Sequence, residues 1–172
     1  MRPTYETDTD LDRELDVATK LSKEWRCDVT KTKKFYPVDY VATRDGRLVS
    51  LLEIKTRNYT MDELERFGGF MISAEKLVRA RELSEMVRVP FILVLKLFGA
   101  LGDQGIPSDR TSQGTGGARE RGSHQEGETY YRSFYNRERY SGEVRLGGRT
   151  DRNDPDDREL VMLFTRNMFS RF

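Results

Sequence analysis

The chain has 172 residues, 34% of them charged, yet its formal net charge is only +1. That length suits one domain with a substantial core, and the balanced charge excludes the broad basic field of nonspecific nucleic-acid binders, leaving only local patches for such contacts. One cysteine and one histidine, His124 in a glycine-rich stretch, exclude a disulfide framework and a cysteine zinc site and argue against histidine-based chemistry.

The N-terminal residues lack the apolar core of a signal peptide, and the longest apolar run, Val89–Leu101, is broken by Lys96 and too short for a bilayer. The expectation is a soluble, cytoplasmic protein with no membrane contact. In chain order, Leu11, Leu15, Ala18, Leu21 and Trp25 recur at helical spacing and predict a helix over 9–26, capped by Thr9 or Asp10. Asp45-Gly46 is a hairpin signal between strands at Val38–Thr43 and Leu48–Thr56. Thr60-Met61-Asp62-Glu63 fits a capping box that opens a short helical turn, ended by Gly68-Gly69. Ser73 then caps a helix to about Met86 with Leu77, Ala80, Leu83 and Val87 inward. Phe91–Phe98 reads as a buried strand, parallel to its neighbour after the helical crossover.

Residues 102–128 are rich in Gly, Ser, Thr and charge and predict a flexible excursion. Tyr130, Tyr131, Phe134 and Tyr135 mark the return of structure. Glu143–Leu146 and Leu160–Phe164 read as strands, and Thr165 is placed to cap a last helix reaching Phe172. The whole is a single α/β domain over 1–172 with an insertion at about 102–142.

The chemistry-bearing pattern sits on the strand Leu48–Thr56. Glu53 and Lys55 end an apolar run and project from one face, because side chains two apart on a strand point the same way. Two unlike charges there cost desolvation energy unless a partner compensates. A divalent cation on the carboxylate and a phosphate on the lysine would do so, which makes the pair a candidate phosphodiester-cleaving site. Asp39 opens the preceding strand, and Glu14 lies on the apolar stripe of the first helix, where it must be at least partly buried and needs a partner. The structural alternatives are a strand-end ion pair for Glu53 and Lys55 and a helix–strand salt bridge for Glu14. Lys31, Lys33 and Lys34 form a basic cluster that is either a solvated face or a track for a nucleic-acid backbone.

Register decides whether the acidic pair can meet. A plain two-residue Asp45-Gly46 loop pairs Arg44 with Arg47 and sets Asp39 against Leu52, on the wrong face. A three-residue turn over Asp45–Arg47, or one bulge, sets Asp39 opposite Glu53 with β-carbons roughly 4.5–5.5 Å apart. Gly46 is the expected source of the positive φ.

Pro37-x-Asp39 followed, after a hairpin, by Glu53-x-Lys55 resembles the PD-(D/E)XK nuclease superfamily. The resemblance covers about residues 9–98. Val38 separates Pro37 from Asp39 where the family's name implies adjacency, but that proline is commonly replaced in the family. What the resemblance implies is a restriction-endonuclease-like α/β fold, a central mixed sheet flanked by helices, with Mg²⁺ dependence and cleavage of DNA. Asp39 and Glu53 are the expected Mg²⁺ ligands (Mn²⁺ substituting), with the Ile54 carbonyl a further one. Lys55 is expected to act on water and phosphate, and Glu14 to hold a metal-bound water or a second ion. Lys76, Lys33 and Lys34 are expected to contact the substrate backbone. By analogy, a small nuclease without a separate recognition module implies structure-selective cleavage, as in phage recombination or DNA processing in a host cell. Duplex cleavage calls for two active sites, so a homodimer is compatible with the reading. The competing functions are a non-catalytic nucleic-acid-binding or assembly protein retaining the fold, and an accessory protein acting through the 102–142 segment.

Overall fold

The computed structural model describes residues 8–33, 36–99, 127–134, 143–148 and 158–172. Helix α1 spans Asp8–Trp25 and buries Glu14, Val17, Ala18 and Leu21. Leu15, expected on that stripe, is 60% exposed. One residue past Glu14 the helix has turned by about 100°, which carries Leu15 off the buried face.

The antiparallel strands β1 (Asp28–Lys31), β2 (Tyr40–Arg44) and β3 (Arg47–Arg57) follow. The chain then leaves the sheet through α2 (Met61–Arg66), β4 (Phe70–Ser73) and α3 (Ala74–Val87), and returns as β5 (Phe91–Leu97), parallel to β3. β6 (Glu128–Phe134) lies antiparallel beside β5. With β7 (Glu143–Gly148), β8 (Arg158–Phe164) and β9 (Ser170–Arg171), the strands form a six-stranded mixed sheet, β1-β2-β3-β5-β6-β9, and a three-stranded one, β4-β8-β7.

The central pair β3–β5 is apolar on both faces because both are covered. On one face, Val17, Ala18 and Leu21 of α1 pack on Tyr40, Ala42, Leu52, Ile54 and Val94. On the other, Leu77 and Ala80 of α3, with Phe70, Ile72 and Phe164 of the small sheet, pack on Leu51, Phe91, Leu93 and Leu95. This is the mixed α/β architecture expected from the sequence. Among the described residues, no helix is long and apolar enough to cross a membrane.

Several local expectations change. Thr60 and Glu63 form the reciprocal capping box as expected, but the segment after Gly69 is strand β4, which finds a partner in β8. Gly69 permits that approach: its φ is +115°, and a β-carbon there would lie 2.6 Å from the Phe164 carbonyl oxygen. Ser73 occupies the N-cap position of α3 without capping it; its hydroxyl donates instead to Glu159 at 2.8 Å. Val87 is exposed and Ser84 is the buried residue near that end, its hydroxyl donating to the Val89 carbonyl at 2.5 Å. The last helix expected after Thr165 is a single 3-10 turn, Arg166–Met168, followed by β9. Within the expected 102–142 insertion, Glu128–Phe134 is a full strand of the large sheet; residues 102–126 and 135–142, with His124, lie outside the described residues.

Candidate active site

The β2–β3 hairpin turns on Asp45-Gly46 with φ of 50° and 72°, the two positive values of a type I′ turn. Arg44 pairs with Arg47 and Thr43 with Leu48, as a plain two-residue loop requires. The register then shifts, and Ala42 pairs with Ser50. Val49 is the extra residue of a β-bulge. Beyond it Tyr40 pairs with Leu52, and one further step sets Asp39 across from Glu53. The bulge, not a three-residue turn, supplies the shift.

β2 starts at Tyr40, whereas β3 runs on to Arg57 beside β5 alone. Asp39 stands in the resulting fork. Its backbone is fixed from β1's continuation: the Thr32 N–H donates to the Asp39 carbonyl at 2.9 Å, and the Thr32 hydroxyl donates to the Val38 and Asp39 carbonyls at 2.5 and 3.1 Å.

Four charged side chains converge there. The Lys55 ammonium lies 2.9 Å from Asp39 Oδ2 and 2.8 Å from Glu53 Oε1. Lys76, from the first turn of α3, lies 2.8 Å from Asp39 Oδ1 and 2.6 Å from Glu53 Oε1. A cation in the first turn of a helix opposes the helix dipole by about 0.3–1 kcal/mol, so local helix energetics do not explain Lys76. The two carboxylates do.

Glu53 is fully buried at 0% exposure, and neither of its oxygens makes a hydrogen bond of good geometry. Both ammonium groups nevertheless lie within ion-pair distance of Oε1, so opposite charge compensates the buried carboxylate. Burial drives the Glu53 carboxyl above its ordinary range, opposed by Lys55 and assisted by the nearby Asp39 charge. Burial also disfavours the Asp39 anion, but Lys55 and Lys76 outweigh it and hold that carboxyl well below the usual carboxylate range. For Lys55 the desolvation that would lower its pKa is overcome by Glu53 and Asp39, so it stays an ammonium beyond the ordinary lysine range. Two carboxylates and two ammonium groups balance, and the two lysines together carry the charge of one divalent cation.

The other sequence-predicted residues are dispersed. Glu14 is buried at 5% exposure, but on the α1 face. It accepts from Lys31 Nζ at 3.2 Å and from the Tyr40 hydroxyl at 3.4 Å, a helix–strand salt bridge. Tyr40 and Ile54 belong to the α1 side of the core, and Asp39, Glu53 and Lys55 alternate with them, so strand pleating places Glu14 and the acidic pair on opposite faces. The Ile54 side chain is buried there too, leaving only its carbonyl for the expected role. Lys33 is exposed on the loop after β1, its carbonyl accepting from the Tyr36 N–H at 3.2 Å; Lys34 lies outside the described residues. The residue sequence reasoning missed is Thr32, whose anchoring role depends on a β1–β2 pairing that no local pattern announces.

A family model described as phage putative PDDEXK endonuclease matches residues 1–132. No curated protein and no solved structure matches the chain.

Proposed function

The chain belongs to the phage PDDEXK endonuclease family, and we propose that it is a Mg²⁺-dependent deoxyribonuclease acting through Asp39, Glu53, Lys55 and Lys76. The observation that carries the proposal is the Glu53 carboxylate, fully buried, without an aligned hydrogen bond, and beside a second carboxylate. A buried carboxylate is costly unless it is compensated by charge; here two lysines compensate it in the free protein, and a divalent cation of the same total charge can take their place.

The donor set fits such a ligand. Carboxylate oxygens suit a hard cation, and Mg²⁺ takes one or two carboxylates and completes its shell with water and substrate phosphate oxygens. No group of three acidic, histidine or cysteine side chains occurs together among the described residues. Asp39 and Glu53 would hold the ion, with the Ile54 carbonyl as an added donor. When bound, the ion supplies Lewis acidity to the phosphate and lowers the pKa of water.

Lys55 is an ammonium at neutral pH, so its part is donation: it holds a nonbridging oxygen of the scissile phosphate and offsets charge developing on the phosphorane. Lys76, released from the carboxylates, takes a neighbouring oxygen. Lys33, exposed on the loop after β1, would follow the backbone outward together with Lys34, its neighbour in sequence.

Incubation with circular, linear, single-stranded and branched DNA, and with RNA, in Mg²⁺, Mn²⁺ or EDTA tests the proposal. Cleavage of DNA is expected with either metal and none in EDTA, and Asp39→Asn should reduce the rate by at least about a hundredfold, as loss of a metal ligand does. Cleavage that persists in EDTA, or at the wild-type rate in Asp39→Asn, would sink it.

A further inference from the structure

Next to the charged centre the surface opens into a cavity of about 340 Å³, lined among others by Tyr36, Ser73, Glu75, Lys76, Arg79 and Glu159. Lys76 is the shared wall: its ammonium reaches Asp39 and Glu53 while its side chain lines the cavity. The volume falls within the range of small-ligand sites, about 300–1,000 Å³.

Three features define what the cavity can take. Tyr36 presents an aromatic ring that is 60% exposed, at a concave site where such a ring is costly to leave wet. Its backbone is held by the N–H bond to the Lys33 carbonyl and by Pro37, which restricts the residue before it. Across the cavity, Arg79 pairs with Glu75 at 2.6 Å with both side chains largely exposed. Such a pair contributes little and exchanges readily for a phosphate. Glu159, its carboxylate oriented by the Ser73 hydroxyl at 2.8 Å, adds a fixed acidic group to the cavity wall. A ring to stack on and a wall in which Lys76 and Arg79 stand one helical turn apart on α3 to meet phosphate together describe one nucleotide.

We propose that this cavity binds a single unpaired nucleotide of the strand being cut, next to the scissile phosphate, with its base on the Tyr36 ring. The inference rests on the nuclease reading for its position beside the reacting phosphate. A base inside a duplex is stacked on both faces and cannot offer one to Tyr36. The site therefore selects single strands, overhangs or frayed ends over closed duplex.

The test compares two dye-labelled DNAs in EDTA by fluorescence anisotropy: a duplex closed by hairpins at both ends, and the same duplex with a single-stranded overhang. The proteins are wild type, Tyr36→Ala and Tyr36→Phe, with folding checked by circular dichroism. Wild type should prefer the overhang. Tyr36→Ala should lose roughly five- to hundredfold in affinity for it, the usual value of one base–aromatic stack, while closed-duplex affinity stays put. Tyr36→Phe should retain the preference. A 2-aminopurine in the overhang should be quenched by wild type and Tyr36→Phe but not by Tyr36→Ala. Equal affinity of wild type for both DNAs, or equal loss on both in Tyr36→Ala, overturns the proposal. If Mg²⁺ supports cleavage while Tyr36→Ala binds the overhang like wild type, the pocket assignment falls and the nuclease stands. If no DNA or RNA is cut under any condition but the Tyr36-dependent preference persists, the pocket stands and the nuclease reading falls.

Discussion

Lys76 makes two contacts that have opposite consequences. It neutralises Asp39 and Glu53 in the free protein, so it competes with a cation for them, yet the proposed reaction needs it on the phosphate. Removing one unit charge at this range is worth upward of about 1.4 kcal/mol at intermediate dielectric. Lys76→Met should therefore bind Mn²⁺ about tenfold more tightly by calorimetry while cleaving more slowly. Weaker Mn²⁺ binding in that variant would show that Lys76 organises the carboxylates rather than competing for them. Asp39 yields a pH prediction with a definite sign. Its folded pKa is depressed below the unfolded value of about 3.9, so its contribution is present above that pH and is lost as pH falls through the folded value. Asp39→Asn should be less stable than wild type in urea at pH 7, and the gap should begin to narrow only as pH falls below about 4, shrinking further into strong acid. A gap that stays constant into acid would mean that the Asp39 charge does not stabilise the fold. At this scale the sequence was informative about Glu53 and Lys55, legible as unlike charges ending an apolar strand, where burial without a partner is expensive; Asp39 entered through the hairpin register and Lys76 through the family resemblance alone.

Among the elements, the β2–β3 hairpin has the most consequence. Asp45-Gly46 announces a two-residue turn, and the turn forms with that geometry. Left alone it would put Asp39 and Glu53 on opposite faces, since one residue of slip inverts a strand's facing. The bulge at Val49 reverses that outcome. Deleting Val49 removes the bulge yet keeps Asp39 opposite Glu53, because the Thr43–Leu48 pair is then followed directly by Ala42–Ser50, so Mn²⁺ binding measured by calorimetry should persist. Loss of binding in a deletion variant whose circular dichroism spectrum matches wild type would contradict the register account. Nothing in residues 47–50 marks the bulge, since Leu48, Val49 and Ser50 suit an unbroken strand equally well. Only the simultaneous demands of the turn, of β5 on the far side of β3 and of the apolar face select it.

Across the whole molecule, two layers share one sheet and hold different acidic residues. The α3 layer covers the centre at Asp39 and Glu53; the α1 layer buries Glu14 with Lys31 and Tyr40. Glu14→Gln should thus lower stability by about 1–3 kcal/mol, the cost of weakening a buried charged hydrogen bond, and leave DNA cleavage at the wild-type rate. A loss of activity out of proportion to stability would return Glu14 to the reaction. The family match spans residues 1–132 and so reaches into β6 and includes β4, whereas β7 and β8, the strands that complete the small sheet with β4, lie beyond it.

By itself the sequence determined the local grammar: α1, the hairpin turn, the capping box at Thr60, the parallel return of β5, and a strand ending in Glu53-x-Lys55. These follow from periodicity, turn chemistry and the cost of buried charge, all of which act over a few neighbouring residues. Tertiary structure alone decided which face each charge occupies, that Gly69 lets β4 pair with a strand far along the chain, and that Glu14 belongs to a salt bridge. It also decided that Tyr36, Arg79 and Glu159 enclose one cavity. Those outcomes depend on pairings between segments distant in sequence, and a pairing shifted by one residue would reverse the faces without changing any local pattern.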